Sequence, residues 1–125
     1  MTEPTGHVDT FCADHLPPVE LWPVRRWDGI PELDYPGRLN CAGALLDGAI
    51  ANGWGDRVAI RWPGGAWTYS ELLARANQAA HVLAEDMGIV PGNRVLLRGA
   101  NTPMLAACWF GVLKAGGARS AGSNP

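Results

Sequence analysis

One segment near the end of the printed sequence restricts the possible folds more than any other. It reads NTPMLAACWFGVLKAGG, and Thr102 and Pro103 form a typical helix start, with Thr as the cap and Pro at the first helical position. The apolar residues that follow recur at helical spacing and cover most of the helix surface: Met104, Leu105, Cys108, Trp109, Phe110, Val112 and Leu113. A helix of this kind lies inside a protein, between two layers. The sequence therefore predicts a layered structure around this helix.

A helix and a hairpin are predicted upstream. Asn40 is a suitable cap for a helix that runs to about Asn52, and its apolar stripe is formed by Leu45, Leu46, Ala49 and Ile50. In RVAIRW, apolar residues alternate, which predicts a strand with one face formed by Val58, Ile60 and Trp62. PGGA then predicts a turn, and WTY begins a return strand.

The next two elements are a helix and a strand. Thr68 and Glu71 have the spacing of a capping box, in which each side chain accepts a hydrogen bond from the other residue's backbone N–H. The helix that follows is predicted to end near Gly88 and to have one apolar face: Leu72, Ala76, Ala79, Leu83 and Met87. RVLLRG then predicts a strand at Arg94–Arg98 that is covered on both faces.

The predicted order is helix, hairpin, helix, strand, helix, which indicates the opening of an α/β layered fold with an incomplete sheet. A strand is expected next, because a crossover helix returns the chain to the sheet. The closing residues ARSAGSNP are poor strand formers. We therefore expect an ordered unit at 39–117 and a divergent, disordered tail at 118–125.

Residues 1–38 are predicted to form a separate Pro- and Trp-rich segment. Six prolines in this segment exclude a long helix. One interpretation is an extended segment that Leu21, Trp22 and Trp27 hold on a larger surface, and the alternative is a mobile tail.

Composition excludes several classes of protein. A net charge of −2 does not favour nucleic acid or a membrane surface as a partner. The longest apolar stretch is too short to span a bilayer, and the N-terminus lacks the basic and apolar runs of a secretory signal. The three cysteines are far apart and odd in number, which disfavours a disulfide framework. We therefore expect a cytoplasmic protein.

Few residues are candidates for chemistry. Cys12 and His15 have C-x-x-H spacing with His7 nearby, but a metal site needs four converging ligands or three and water, so a solvated segment is the preferred interpretation. His81 has no evident partner to orient it as a general base, so a partly exposed structural role is preferred. Ser70 lies beside the capping box, which already uses the helix N-terminal N–H groups that an anion would need.

Two further patterns are also interpreted as structural. The glycines of GGARSAG follow a helix, whereas a phosphate-binding loop follows a strand and opens a helix. The six tryptophans are not interleaved with basic residues, so most of them are expected to be packing residues.

Three segments taken together resemble a known superfamily: GDRVAIRW, WTYSELLARANQAAHVLAEDMGIVPGNRVLL and NTPMLAACWFGVLKAGG. They are similar to the N-terminal region of the adenylate-forming enzymes, which include acyl-CoA synthetases, peptide-synthetase adenylation domains and luciferases. WTYSEL resembles the first core motif and LKAGG the start of the second, and the likeness covers about 38 to 117. The preceding LPPVELWPVRRWDGIPELDYPGRLNCAGALLD looks most like the benzoate and 2-aminobenzoate CoA ligases.

The resemblance implies a two-step reaction in full-length members. A carboxylate attacks ATP to give an acyl-adenylate and pyrophosphate, with Mg²⁺ neutralising phosphate charge, and the thiol of CoA then displaces AMP. In the family, the phosphate loop, the nucleotide contacts, the acyl pocket and the catalytic lysine lie further along a longer chain. No catalytic, cofactor-binding or metal-binding residue is therefore assigned here, and ATP, Mg²⁺, CoA and the acid are expected only for full-length relatives.

Two hypotheses follow from the resemblance. After LKAGG the family continues with an apolar strand, whereas ARSAGSNP resembles an out-of-frame reading of GC-rich DNA. The first hypothesis is therefore a truncated acid–CoA ligase, inactive alone, that arises from a frameshift, a gene fragment or a miscalled frame. The alternative is a non-catalytic interaction module that docks on a full-length ligase. In both cases we expect well-specified local elements and an incomplete overall fold.

Overall fold

The computed structural model describes residues 6–24 and 26–117, so the predicted tail at 118–125 lies outside the described residues. Within these residues, four α-helices and two strands follow one another: α1 (Phe11–Asp14), α2 (Gly48–Ala51), β1 (Val58–Trp62), β2 (Gly65–Thr68), α3 (Tyr69–His81) and α4 (Pro103–Gly117). Short 3₁₀ turns occupy Val19–Leu21 and Pro31–Leu33. π-Helical turns precede α2 at Gly43–Asp47 and follow α3 at Val82–Asp86. Helices and strands are mixed, as the α/β prediction requires.

The N-terminal segment contacts the rest of the protein near its beginning rather than through its tryptophans. Leu21, Trp22 and Trp27 are 72%, 46% and 53% exposed, so they are not buried against the described residues, and their role in holding the segment on a larger surface stays a prediction. The backbone N–H groups of Val8 and Asp9 instead both donate to the carbonyl oxygen of Pro91, at 2.8 and 3.0 Å. Hydrogen bonds, rather than burial of large apolar groups, therefore attach the segment.

Asn40 begins the first long helical stretch as predicted. Its Oδ1 accepts a hydrogen bond from the backbone N–H of Gly43 at 3.0 Å, which is the geometry of an N-cap. Leu46 and Ala49 are buried, but Leu45, predicted on the same face, is 55% exposed. Adjacent helical residues are rotated by about 100°, so Leu45 lies beside the buried stripe rather than in it.

Asn40 also connects this helical stretch to the end of α4. Its Nδ2 donates to the carbonyl oxygens of Leu113 and Lys114, at 3.1 and 3.4 Å. The Nζ of Lys114 donates to both carboxylate oxygens of Asp47, at 2.9 and 2.7 Å. One asparagine thus caps the start of one helix and satisfies carbonyls in the last turn of another.

The predicted hairpin is confirmed. β1 and β2 pair antiparallel with Trp62 opposite Gly65, which leaves a two-residue loop of Pro63 and Gly64. The register shifts by one residue between Val58 and Ile60, at a β-bulge or similar irregularity. Within the described residues, these two strands are the whole sheet.

The capping box of α3 is also confirmed. Thr68 Oγ1 accepts from the backbone N–H of Glu71 at 3.2 Å, and Glu71 Oε2 accepts from the backbone N–H of Thr68 at 2.8 Å. Leu72 and Ala76 are buried on the predicted face. Met87 is 65% exposed and does not belong to this face, because the chain has left the helix at that point and turns at Gly88, whose φ is +67°.

α3 and α4 pack through small residues. A Cβ at Gly111 would lie 2.6 Å from the Cβ of Ala79 and 3.1 Å from the carbonyl oxygen of Ala76. Glycine at this position therefore permits the close approach of the two helices. The core at this contact consists of Leu46, Leu72, Ala76 and Ala107. Trp109, on the other side of α4, is 52% exposed, so this helix is covered on one side by the described residues rather than on both.

The predicted strand at Arg94–Arg98 is not formed. The structure assigns no strand to these residues, and Leu96 is 91% exposed, so the prediction of a strand covered on both faces is wrong. The hydrogen bonds of a strand require a neighbouring strand. In the described part of the chain, β1 and β2 pair with each other and leave Arg94–Arg98 without a partner.

Candidate functional site

The residues that sequence reasoning considered for metal binding do not converge. His15 Nδ1 lies 2.7 Å from the carbonyl oxygen of Phe11, and its ring stacks on the Phe11 ring with a centroid distance of 4.0 Å. Cys12 Sγ lies 3.7 Å from a guanidinium nitrogen of Arg94. Residues 6–24 and 26–117 contain no group of three or more His, Cys, Asp or Glu side chains placed to hold a metal ion.

The start of α3 has no free N–H group for an anion. The backbone N–H of Tyr69 donates to the carbonyl of Arg57, and that of Ser70 donates to the carbonyl of Gly55, both at 3.0 Å. The capping box occupies the N–H groups of Thr68 and Glu71. All four donors at this helix start therefore have protein partners, which supports a structural role for this stretch.

Two other predictions concern isolated side chains. His81, at the end of α3, is exposed. Four of the six tryptophans are exposed, so the prediction that most of them are packing residues is wrong: Trp22, Trp27, Trp54 and Trp109. The remaining two, Trp62 and Trp67, contact edge to face across the hairpin with a centroid distance of 5.5 Å.

An uncovered apolar surface is the main feature available for binding. We call residues 94–98 the open edge. A cavity of about 330 Å³ is lined by Leu97, and its apolar lining also includes Leu83, Met104, Cys108 and Val112. A second cavity of about 310 Å³ is lined by Leu97, Leu105 and Trp109 among others. Leu97 lines both cavities, so the open edge and the outer side of α4 form one continuous surface.

A set of contacts between Asp9, Phe11, Asn93 and Arg94 attaches the N-terminal segment beside this surface, and we call these contacts the joint. Asp9 Oδ1 accepts from the backbone N–H of Phe11 at 3.0 Å, and its Oδ2 accepts from Nδ2 of Asn93 at 2.9 Å. The guanidinium of Arg94 lies 4.0 Å from the same carboxylate and 4.2 Å from the centre of the Phe11 ring. A Cβ at Gly92, whose φ is +97°, would overlap the carbonyl oxygen of Asp9.

This joint changes the acidity of Asp9. The hydrogen bond from Phe11 N–H holds the pKa of Asp9 below its ordinary value of 3.8, and Asn93, Arg94 and His7 act in the same direction. Each of these groups favours the charged carboxylate. The joint is therefore strongest when Asp9 is ionised.

Sequence reasoning did not find Asp9, Asn93 or Arg94, because the contacts that join them span more than 80 residues. The composition of VPGN is typical of a turn, but nothing in it indicates which distant segment the turn contacts. The one available signal was Gly92 next to Asn93, since this pair is typical of a tight turn with positive φ. That signal locates the turn without naming its partner.

Comparisons with known proteins give the family. The model of the AMP-binding enzyme family matches residues 49–121. The match begins within the first long helical stretch and includes the hairpin, α3, the open edge and α4. The predicted likeness started earlier, at about 38, and ended at 117.

Curated relatives agree with this match. Acetyl-coenzyme A synthetase of Mycobacterium tuberculosis (strain H37Rv) is 38% identical over 103 residues, which covers 72% of this chain and 16% of that protein. Acetyl-coenzyme A synthetase of Deinococcus radiodurans is 31% identical over 109 residues, covering 78% of this chain and 17% of that protein. Surfactin synthase subunit 2 of Bacillus subtilis is 44% identical over 63 residues, 50% of this chain and 2% of that protein. No solved structure matches the chain.

The hairpin, α3 and α4 thus lie in a region shared with adenylate-forming enzymes. The chain belongs to the AMP-binding enzyme family. It spans about a sixth of the length of the acetyl-coenzyme A synthetases that it matches. In the described residues, no helix is long and apolar enough to cross a membrane.

Proposed function

We propose that this chain is the N-terminal scaffold of an AMP-dependent acid–CoA ligase and that it does not catalyse the reaction by itself. The observation that carries the proposal is the start of α3, within the family match. Its four backbone N–H groups, from Thr68 to Glu71, all donate to groups of this protein. The WTYSEL stretch therefore holds the hairpin and α3 together and leaves no donor there for a nucleotide phosphate.

The full-length protein is proposed to make a CoA thioester in two steps. A carboxylate attacks ATP to give an acyl-adenylate and pyrophosphate, Mg²⁺ neutralises phosphate charge, and the thiol of CoA then displaces AMP. We propose an aromatic acid such as benzoate or 2-aminobenzoate as the substrate, because the segment before residue 49 resembles that branch. The acetyl-coenzyme A synthetases among the relatives are likewise named for a CoA thioester. We propose the cytoplasm as its location, which fits three cysteines that are all free thiols.

A thioester-formation assay tests the lack of activity. The purified 125-residue chain is incubated with ATP, Mg²⁺, CoA and either benzoate or 2-aminobenzoate, and a full-length acid–CoA ligase serves as the positive control. We expect no product above a blank without protein. Turnover that disappears in a Leu72→Ala variant, in which the core is disrupted, would contradict the proposal.

The identity of the larger protein is tested at the level of DNA. The region after the codon for Gly117 is sequenced and read in all three frames. A coding region for a Ser/Thr/Gly-rich phosphate loop would support the proposal, and expression of the joined frame would then show which acid it activates. The absence of such a region would favour a protein that acts without the remaining domains of a ligase.

A second candidate function is supported by the uncovered surface. The open edge and the outer side of α4 expose Leu96 at 91% and Trp109 at 52%, and surfaces of this kind often bind other proteins. The chain is therefore also proposed as a non-catalytic module that docks on a full-length ligase. Co-purification with such a ligase would support this function, and a monodisperse monomer that does not bind the ligase would contradict it.

A further inference from the structure

The beginning of the N-terminal segment is a unit with its own internal contacts. Thr10 Oγ1 donates to Asp14 Oδ2 at 2.8 Å, and the backbone N–H of Asp14 donates to the carbonyl oxygen of Thr10 at 3.0 Å. The Phe11 and His15 rings stack with a centroid distance of 4.0 Å. Residues 7–15, which we call the strap, are therefore held together by neighbours in sequence.

The strap is attached to the rest of the protein by exposed, mainly polar contacts. None of its side chains, all of which the structure describes, is buried, and Val8 and Phe11 are 65% and 49% exposed. The attachment consists of the joint and of the two backbone N–H groups that donate to Pro91. Parts of a protein with few buried apolar contacts open at a lower free energy than the whole protein. The strap should therefore open before the core does.

The turn at 90–93 is shaped to receive the strap. Gly92 has a φ of +97°, and a Cβ there would overlap the carbonyl oxygen of Asp9 and lie 3.0 Å from the Cβ of His7. Gly88 has a similar φ of +67°, but a Cβ there would meet nothing within 4 Å. Both positions favour glycine for their backbone conformation. Of the two, Gly92 alone also needs glycine for its contact with the strap.

Asn93 connects this turn to the strap. Its Oδ1 accepts from the backbone N–H of Val90 at 3.0 Å, and its Nδ2 donates to Asp9 Oδ2 at 2.9 Å. The guanidinium of Arg94 lies 4.0 Å from the same carboxylate and 4.2 Å from the centre of the Phe11 ring. One amide thus shapes the turn and holds the strap, and the closed strap fixes the side chain of Arg94.

We infer that the strap is a conformational device that opens and closes on the 90–93 turn as one unit while the hairpin, α3 and α4 stay folded. In the closed state, Gly92 admits the strap backbone, and Asp9 and Phe11 hold Arg94. In the open state, Arg94 loses both contacts and its guanidinium is available to other groups. This inference goes beyond the ligase and docking functions proposed above and depends on neither.

Amide hydrogen exchange of the full 125-residue chain tests the separate opening. The amides of Val8 and Asp9 report on the strap, and amides in the middle of α3 report on the core. In the wild-type chain, we expect the strap amides to be protected but to exchange faster than those of α3. Gly92→Ala should raise exchange of the strap amides by about tenfold more than exchange of α3, because several hydrogen bonds are lost together. Gly88→Ala is the matched control for backbone strain and should leave the strap close to wild type.

An exchange of amide and carboxylate tests the strap without strain at glycine. Asn93→Asp keeps the oxygen that accepts from Val90 but places a second carboxylate opposite Asp9, so the strap should open. Adding Asp9→Asn restores one donor and one acceptor in reversed positions. We expect this double variant to bring exchange of the Val8 amide back to within about threefold of wild type, since the two residues are directly coupled.

Four results would overturn the inference. Strap amides in the wild-type chain that exchange like those of an unfolded peptide would show that the strap does not close. Strap amides that exchange as slowly as α3, or equal acceleration of both by Gly92→Ala, would show that the strap opens only with the core. A double variant no better protected than Asn93→Asp would show that the contact between Asn93 and Asp9 does not hold the strap.

Discussion

Val58–Trp62 and the open edge are both five-residue segments with strand-forming composition, yet only the first belongs to a sheet. The first pairs with Gly65–Thr68 across a loop of two residues. The open edge is followed by a turn into α4 and has no paired strand in the described residues. The comparison shows that a strand-like sequence pattern does not form a sheet by itself, because the hydrogen bonds of a strand also require a neighbouring strand.

α4 repeats this contrast on its two sides. Ala107 and Ala115 are buried, and Gly111 lies against Ala79 of α3. Met104 and Trp109 are 47% and 52% exposed. The packed side contacts α3, whereas the exposed side adjoins the open edge. The packed region and the uncovered region should therefore respond differently to the same substitution.

The largest difference is expected between two leucines. Leu72 is 2% exposed in the core, and Leu72→Ala should lower the free energy of unfolding of α3 by about 2–5 kcal/mol. Leu96→Ala is the matched control at 91% exposure, and its effect should stay within about 0.5 kcal/mol. Amide hydrogen exchange of α3 measures both. Equal losses of protection would show that the two regions do not differ in packing.

A second pair of variants tests the contact between the helices. A methyl group at Gly111 meets Ala79 and the backbone of α3, so Gly111→Ala should destabilise that contact by about 1–3 kcal/mol. At Gly116 a Cβ meets nothing within 4 Å, so Gly116→Ala should stabilise α4 by up to about 1 kcal/mol. We expect the midpoint of the urea transition, followed at 222 nm, to fall for Gly111→Ala and to rise for Gly116→Ala. Two stabilising substitutions would mean that the close approach at Gly111 is absent in solution.

The cap of α3 gives a smaller effect. Thr68→Ala removes the oxygen that accepts from Glu71 N–H and should cost about 1 kcal/mol of helix stability. Thr68→Ser keeps the hydroxyl and is expected to stay close to the wild-type protein. Exchange of the Glu71 amide reports the loss directly. If Thr68→Ala leaves that amide as protected as before, the capping box does not contribute to the packed region.

The smallest effect concerns the joint at Asp9. Because the pKa of Asp9 is lowered below 3.8 in the folded protein, the joint is fully formed above that value and is lost as the pH falls through the lower folded-state pKa. The amide chemical shifts of Val8 and Asp9, which donate to Pro91, should therefore change below pH 3.8. Asp9→Asn should remove this titration and leave α3 unaffected. A transition above the ordinary value would contradict the assignment.

Local patterns predicted the elements that form through neighbours in sequence. The caps at Asn40 and Thr68, the hairpin and the start of α4 at Pro103 were correct, because each depends on residues a few positions apart. The error at Arg94–Arg98 has a different origin, since a strand is completed by a distant partner that periodicity does not identify. For the same reason, the joint at Asp9 and the link from Asn40 to Lys114 were missed.

The central claim is that the helices and the hairpin form while the surface of the open edge and α4 stays uncovered. Unfolding followed by two probes tests this claim most directly. Urea denaturation is recorded by tryptophan fluorescence and by far-UV circular dichroism, and binding of the dye ANS is measured without urea. We expect broad, non-coincident transitions and ANS binding, because Leu96 and Trp109 are exposed. A single cooperative transition, coincident in both probes and without ANS binding, would contradict it.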